Sequence, residues 1–133
     1  MRYWLVICYV GHCGRGHVPR EIGLAIEAKD SVEALLQAND YYENGKTKLL
    51  AGNMDEALAD LTTAIDSGAA SIDTYILRGE AYMQSGDYRN AMADFDTALE
   101  KDTQNAVAYY DRALLNMRLE DYSAALNDIN NAM

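Results

Sequence analysis

The chain repeats itself every 34 residues, and little else about it limits the possible folds so strongly. Laid over one another, residues 38–71, 72–105 and 106–133 bring Tyr41, Tyr75 and Tyr109 into register. Gly45, Gly79 and Ala113 align, then Gly52, Gly86 and Glu120, then Met54, Tyr88 and Tyr122. Further on come Ala57, Ala91 and Ala125; Asp60, Asp94 and Asp128; Leu61, Phe95 and Ile129; and Ala64, Ala98 and Ala132. No insertion interrupts the period. Self-similarity at this spacing signals one supersecondary unit that cannot bury its apolar face alone and stacks on its neighbours.

Each unit reads as two helical stretches joined by a turn: "AGNM", "SGDY" and "LEDY". Glycine at the turn permits the left-handed conformation that ends a helix. Small residues recur where two helix axes must approach closely, with Leu61, Phe95 and Ile129 filling the adjoining gap. Where an arginine precedes the small residue, as Arg78 and Arg112 do, an aspartate follows sixteen residues later as Asp94 and Asp128. Antiparallel helices would bring these together, so Arg–Asp contacts within or between units are expected.

The pattern resembles the tetratricopeptide repeat family. The middle unit carries it best: Tyr75, Gly79, Tyr82, Gly86, Tyr88, Ala91, Phe95 and Ala98 stand at the signature positions. The departures are Ala69 and Thr103 for the helix-ending proline, Asn44, Arg78 and Arg112 for a leucine, and Lys48 and Asn116 for a tyrosine. The resemblance implies a mainly helical α-solenoid of about three hairpins over residues 38–133. It also implies a non-catalytic scaffold that binds a peptide or protein segment in a concave groove lined by the first helix of each unit.

Carried over by position, the groove comprises Asn39, Tyr42, Lys46 and Leu49 from the first unit. Asp73, Ile76, Glu80 and Met83 come from the second, and Val107, Tyr110, Leu114 and Met117 from the third. Its tyrosines and methionines suit apolar anchors on a peptide. One branch of the family clamps a terminal carboxylate with lysines, asparagines and an arginine. The matching positions here hold Tyr42, Lys46, Glu80, Val107 and Asp111, of which Lys46 alone is basic, so that ligand is not expected.

Charge narrows the partners. The net charge is −10, and residues 38–133 carry all of the excess, with residues 1–37 balanced. An acidic surface repels phosphate backbones, which argues against nucleic acid and anionic membrane. The apolar run "YWLVICYV" is too short to span a bilayer and has no small-x-small cleavage site, so a cytoplasmic location is expected. Two cysteines are too few for a disulfide scaffold.

Residues 1–37 read as an extension of another kind. "YWLVICYV" and "IGLAIEAKD" suggest the two strands of a β-hairpin, with a long glycine-rich loop between. "DSVEALLQA" suggests a helix capped at Asp30 or Ser31 that can run on into the first repeat, since no proline or glycine falls between Ser31 and Gly45. The loop "YVGHCGRGHVP" places His12, Cys13, Arg15 and His17 close to Cys8. Two thiols and two imidazoles match zinc in type but not in spacing. A thiol nucleophile at Cys13 needs an orienting group and an oxyanion site that nothing identifies. A plain turn is the simpler reading, and no cofactor or metal is expected. The alternatives to a scaffold are a small thiol- or metal-dependent enzyme using Cys13, His12 and His17, or a purely self-assembling module. Homo-oligomers are expected through the hairpin edge or the last helix, around residues 121–133. That helix should leave an apolar flank open unless a further part of a longer protein covers it.

Overall fold

The computed structural model describes the backbone of residues 20–133 and the side chains of residues 29–133. Six helices follow one another: α1 (Arg20–Leu50), α2 (Met54–Asp66), α3 (Ile72–Ser85), α4 (Tyr88–Lys101), α5 (Ala106–Arg118) and α6 (Tyr122–Ala132). Among the described residues there is no strand. The chain divides into two compact units, Met1–Glu33 and Ala34–Met133. Of the first unit, the described part is the opening of α1. The second holds three helical hairpins: the end of α1 with α2, α3 with α4, and α5 with α6.

The expected N-terminal β-hairpin is corrected here. Its second strand, residues 22–30, is helical and belongs to α1. The alternation of Ile22, Leu24 and Ile26 is outweighed by the helix formers Ala25, Glu27, Ala28 and Lys29, which lead unbroken into the residues after Ser31. The cap expected at Asp30 or Ser31 therefore falls inside a helix that runs on into the first repeat. The first strand and the loop with Cys8, His12, Cys13, Arg15 and His17 lie outside the described residues.

The period is written into the turns. Gly52, Gly86 and Glu120 all take positive φ, at 84°, 87° and 61°. At each, two amides turn back onto the helix just ended. Asp87 N–H donates to the Tyr82 carbonyl at 2.9 Å and Gly86 N–H to Met83 at 3.3 Å. Asn53 to Lys48 and Asp121 to Asn116 repeat the longer closure at 2.9 Å. This is the glycine-type helix stop, which satisfies carbonyls that would otherwise lack donors. The following helices start on Asn53, Asp87 and Asp121, and the last two side chains accept an amide from the first turn.

Small faces large within the first two hairpins. A Cβ on Gly79 would lie 2.6 Å from Phe95 Cε1, and one on Gly45 would lie 2.7 Å from Leu61 Cγ. Phe95 and Leu61 are wholly buried as a result. Each contributes about 1.5–3 kcal/mol from burial alone. Ile76, Met83, Ala91, Phe95, Ala98, Leu99, Ala108 and Leu115 form the main core, which spans the second and third hairpins. Ile129, the counterpart of Phe95, remains 39% exposed, because no further hairpin among the described residues covers α6.

The Arg–Asp contacts form as the 16-residue spacing suggests, and they lie within hairpins. Arg78 donates from Nε and Nη2 to both oxygens of Asp94, at 2.8 and 2.7 Å. Arg112 grips Asp128 in the same way, at 3.0 and 2.6 Å. The remaining nitrogen of each arginine reaches back one hairpin, Arg78 to Thr62 and Arg112 to Asp96. In the first hairpin Asn44 stands where the arginine would be. Lys48, one turn later, takes over by pairing with Asp60 at 2.7 Å. Each periodic aspartate thus has a cation from its own hairpin.

Candidate functional site

Residues 34 apart on α1, α3 and α5 share one helical face, and the fold brings these three faces together. A cavity of about 160 Å³ is lined by Tyr42 of α1, by Asp73, Ile76, Leu77 and Glu80 of α3, and by Val107 of α5. Tyr42 is also a wall of a second cavity of about 350 Å³, which Leu35, Leu36, Ala38, Asn39, Ala69, Ser71 and Thr74 complete. Tyr42 is the wall that the two cavities share.

The twelve positions carried over from the resemblance divide by depth. Asn39 and Tyr42 line the larger cavity, and Tyr42, Asp73, Ile76, Glu80 and Val107 line the smaller one. Val107, Tyr110 and Met117 continue the face along α5 and are 57%, 55% and 47% exposed. Lys46 is exposed and Leu114 half-buried on the same line. Leu49 and Met83 are buried: Leu49 packs with Ala57 and Ala81, and Met83 sits in the main core. These two hold the helices together beneath the face.

The position-by-position transfer left out Leu35, Leu36, Leu77 and Asp111. Leu77 lines the smaller cavity one residue after Ile76. Asp111 lies on α5 one turn after Val107 and is only 6% exposed, with an Oδ2 that receives no hydrogen bond. Its neighbour is Glu80. Burial, and then the Glu80 charge, push the Asp111 carboxyl up to about 7. Burial also raises Glu80. The Tyr42 phenol is raised by its partial burial, then by Asp73, Glu43 and Glu80. The face therefore carries unbalanced negative charge. The cations Lys48, Arg78 and Arg112 are committed to the helix seams behind it. Among the described residues, no group of three or more His, Cys, Asp or Glu side chains could hold a metal ion. Nor is any described helix long and apolar enough to cross a membrane.

The family model for the TPR repeat, the tetratricopeptide repeat, matches residues 79–120. The chain carries a tetratricopeptide repeat segment. Solved structures extend the likeness in fold. The second TPR of Spaghetti (RPAP3), bound to HSP90 peptide SRMEEVD, superposes with a TM-score of 0.75 at 20% identity, covering 83% of this chain and 95% of that one. The Arabidopsis OM64 TPR domain gives 0.71 at 23% identity over 74% and 82%. MamA gives 0.67 at 20% identity over 71% and 56%. No curated protein matches the chain.

Proposed function

We propose that the chain is a non-catalytic, cytoplasmic scaffold that holds a peptide or extended protein segment on the face shared by α1, α3 and α5. The observation that carries this reading is the smaller cavity. Three successive first helices contribute to it, it is open, and it combines apolar walls with polar groups, as peptide-binding clefts do. The Spaghetti domain, similar in fold, is bound to a peptide, which makes peptide capture the natural reading for this face. The test is to pan a random-peptide display library against the full chain and against Val107→Asp and Tyr110→Ala, both at exposed positions. Enriched peptides should lose about tenfold in affinity or more with either substitution, some 1.4 kcal/mol. Peptides that bind all three proteins equally would place capture elsewhere and overturn the proposal.

Self-association through α6 is a second reading, favoured by Tyr122 and Leu126, which are 66% and 59% exposed side by side on one helix face. Light scattering over about a hundredfold range of concentration should then show mass rising with concentration, and Leu126→Glu should abolish the rise. A constant monomer mass for the unsubstituted chain would remove this reading.

A further inference from the structure

The groove holds acidic groups without a matching cation. Asp73, Glu80 and Asp111 lie on its face or beneath it, and no ion pair among the described residues reaches any of them. Lys46, the cation on the groove line, is exposed and pairs with none of the three. Of the other acids on helices packed against α5, Asp94 pairs with Arg78 and Asp96 and Asp128 pair with Arg112, while Glu100 is exposed to solvent. Asp111 is different. It is nine-tenths buried, follows Val107 by one turn of α5 and lies behind the cavity lining; it shares a hydrogen bond with Glu80, and its Oδ2 receives none. An ionised carboxylate can only accept, so neither Glu80 nor Asp111 can satisfy the other without retaining a proton.

We propose that the groove seats the lysine or arginine side chain of a basic partner segment, its cationic head held by Glu80 on the cavity wall and favoured by the Asp111 carboxyl behind it. The inference rests on the peptide-binding reading above and names the chemistry of the partner. Ile76, Leu77 and Val107 form apolar walls along which the methylene stem of such a side chain would lie. Tyr42 offers an aromatic ring on the way in. Lysine brings three donors and arginine five, which is what two acceptor-only carboxylates lack. A terminal carboxylate or an acidic segment would meet like charge instead. A divalent cation would find only two carboxylates where it prefers six or more oxygens. The raised carboxyls give the site a signature: a bound cation favours the ionised form, so ligand binding expels a proton.

The test uses the full chain and carboxyl-carbon NMR, titrated with n-butylammonium and ethylguanidinium as side-chain probes and with n-butanol and butyrate as controls. The cations should shift the Glu80 and Asp111 carboxyl signals in a saturable way and lower the apparent pKa of Asp111, about 7 when empty, by about one pH unit or more. The controls should do neither, and Glu80→Gln should weaken the cations several-fold. Asp111→Asn provides a second variant with the same expected loss. Weak, unsaturable shifts spread over all surface acids would overturn the proposal. If these appeared while neutral or acidic peptides still bound in a manner sensitive to Val107→Asp, the cation site would fall and peptide capture would stand. If the cations saturate the pair and no peptide depends on Val107, the site stands and the broader reading fails.

Discussion

Asp111→Asn is the substitution whose outcome follows most directly from the structure. In the folded chain the Asp111 carboxyl is held at about 7, against an ordinary value of 3.8. Each pH unit of that displacement corresponds to about 1.4 kcal/mol. Ionising Asp111 in the fold thus costs at most about 4 kcal/mol, and about 2 kcal/mol is expected to appear once the half-buried Glu80 relaxes toward water. The sign is set by proton uptake. Between about pH 4 and pH 7 the folded state binds the proton that the unfolded state has released, so this group's contribution is complete below pH 4 and is lost as pH rises through 7. Asparagine carries no charge and can donate to Glu80. The variant should therefore be about 2 kcal/mol more stable than the unsubstituted chain at about pH 8, with the gain shrinking toward pH 5. In urea, followed by far-ultraviolet circular dichroism, that is a midpoint shift of roughly 1 M at pH 8 for a chain of this size. Equal shifts at both pH values, or none at pH 8, would refute the assignment of a buried, uncompensated carboxylate.

Two further substitutions test the architecture. Arg78→Ala strips the bidentate partner from Asp94, whose side chain is 5% exposed, and should cost about 3–5 kcal/mol by the same urea assay; a loss under 1 kcal/mol would mean that water compensates the aspartate. Glu120→Gly relieves a side chain held at φ 61°, where the two earlier turns use glycine, and should raise the thermal midpoint by the equivalent of about 1 kcal/mol; a fall would show that the glutamate is held there by contacts worth more than the strain.

What could be read from the sequence, and what could not, follows from how each feature is encoded. The hairpins, their turns at Gly52, Gly86 and Glu120, and the Arg78–Asp94 and Arg112–Asp128 pairs all sit in a period that three copies state together. The Lys48–Asp60 pair was hidden because the first unit moves its cation by one turn, from the position of Asn44 to Lys48, and so breaks the sixteen-residue spacing. Residues 22–30 misled because three apolar residues in alternation resemble a strand. Their backbone is instead settled by continuity with a long helix that has no stop signal. Asp111 stands at a position matching the family's carboxylate clamp, where an acid cannot hold a carboxylate. Its pairing with Glu80 could not be read from the sequence, because the two lie 31 residues apart on different helices. Only stacking of α5 on α3 makes them neighbours.

The contrast between acids that all three units share and acids that they do not separates what the fold needs from what this chain adds. Asp60, Asp94 and Asp128 recur at one position, and each is neutralised by a cation from its own hairpin. Their burial is compensated, and they tie the two helices of each unit together. Glu80 stands where the first unit has Lys46 and the third has Leu114, and Asp111 stands where the first has Glu43 and the second has Leu77. The solenoid accepts a cation or a leucine at the first position and a leucine as well as an acid at the second, so its geometry does not demand carboxylates there. A leucine at 111 would also avoid the cost of burying a charge. A buried acid that the architecture does not require, and that destabilises the fold when ionised, is the kind of local inconsistency that accompanies a binding site. The cationic head of a ligand would remove that inconsistency and the stability cost together, so ligand binding and the gain expected from Asp111→Asn draw on the same free energy.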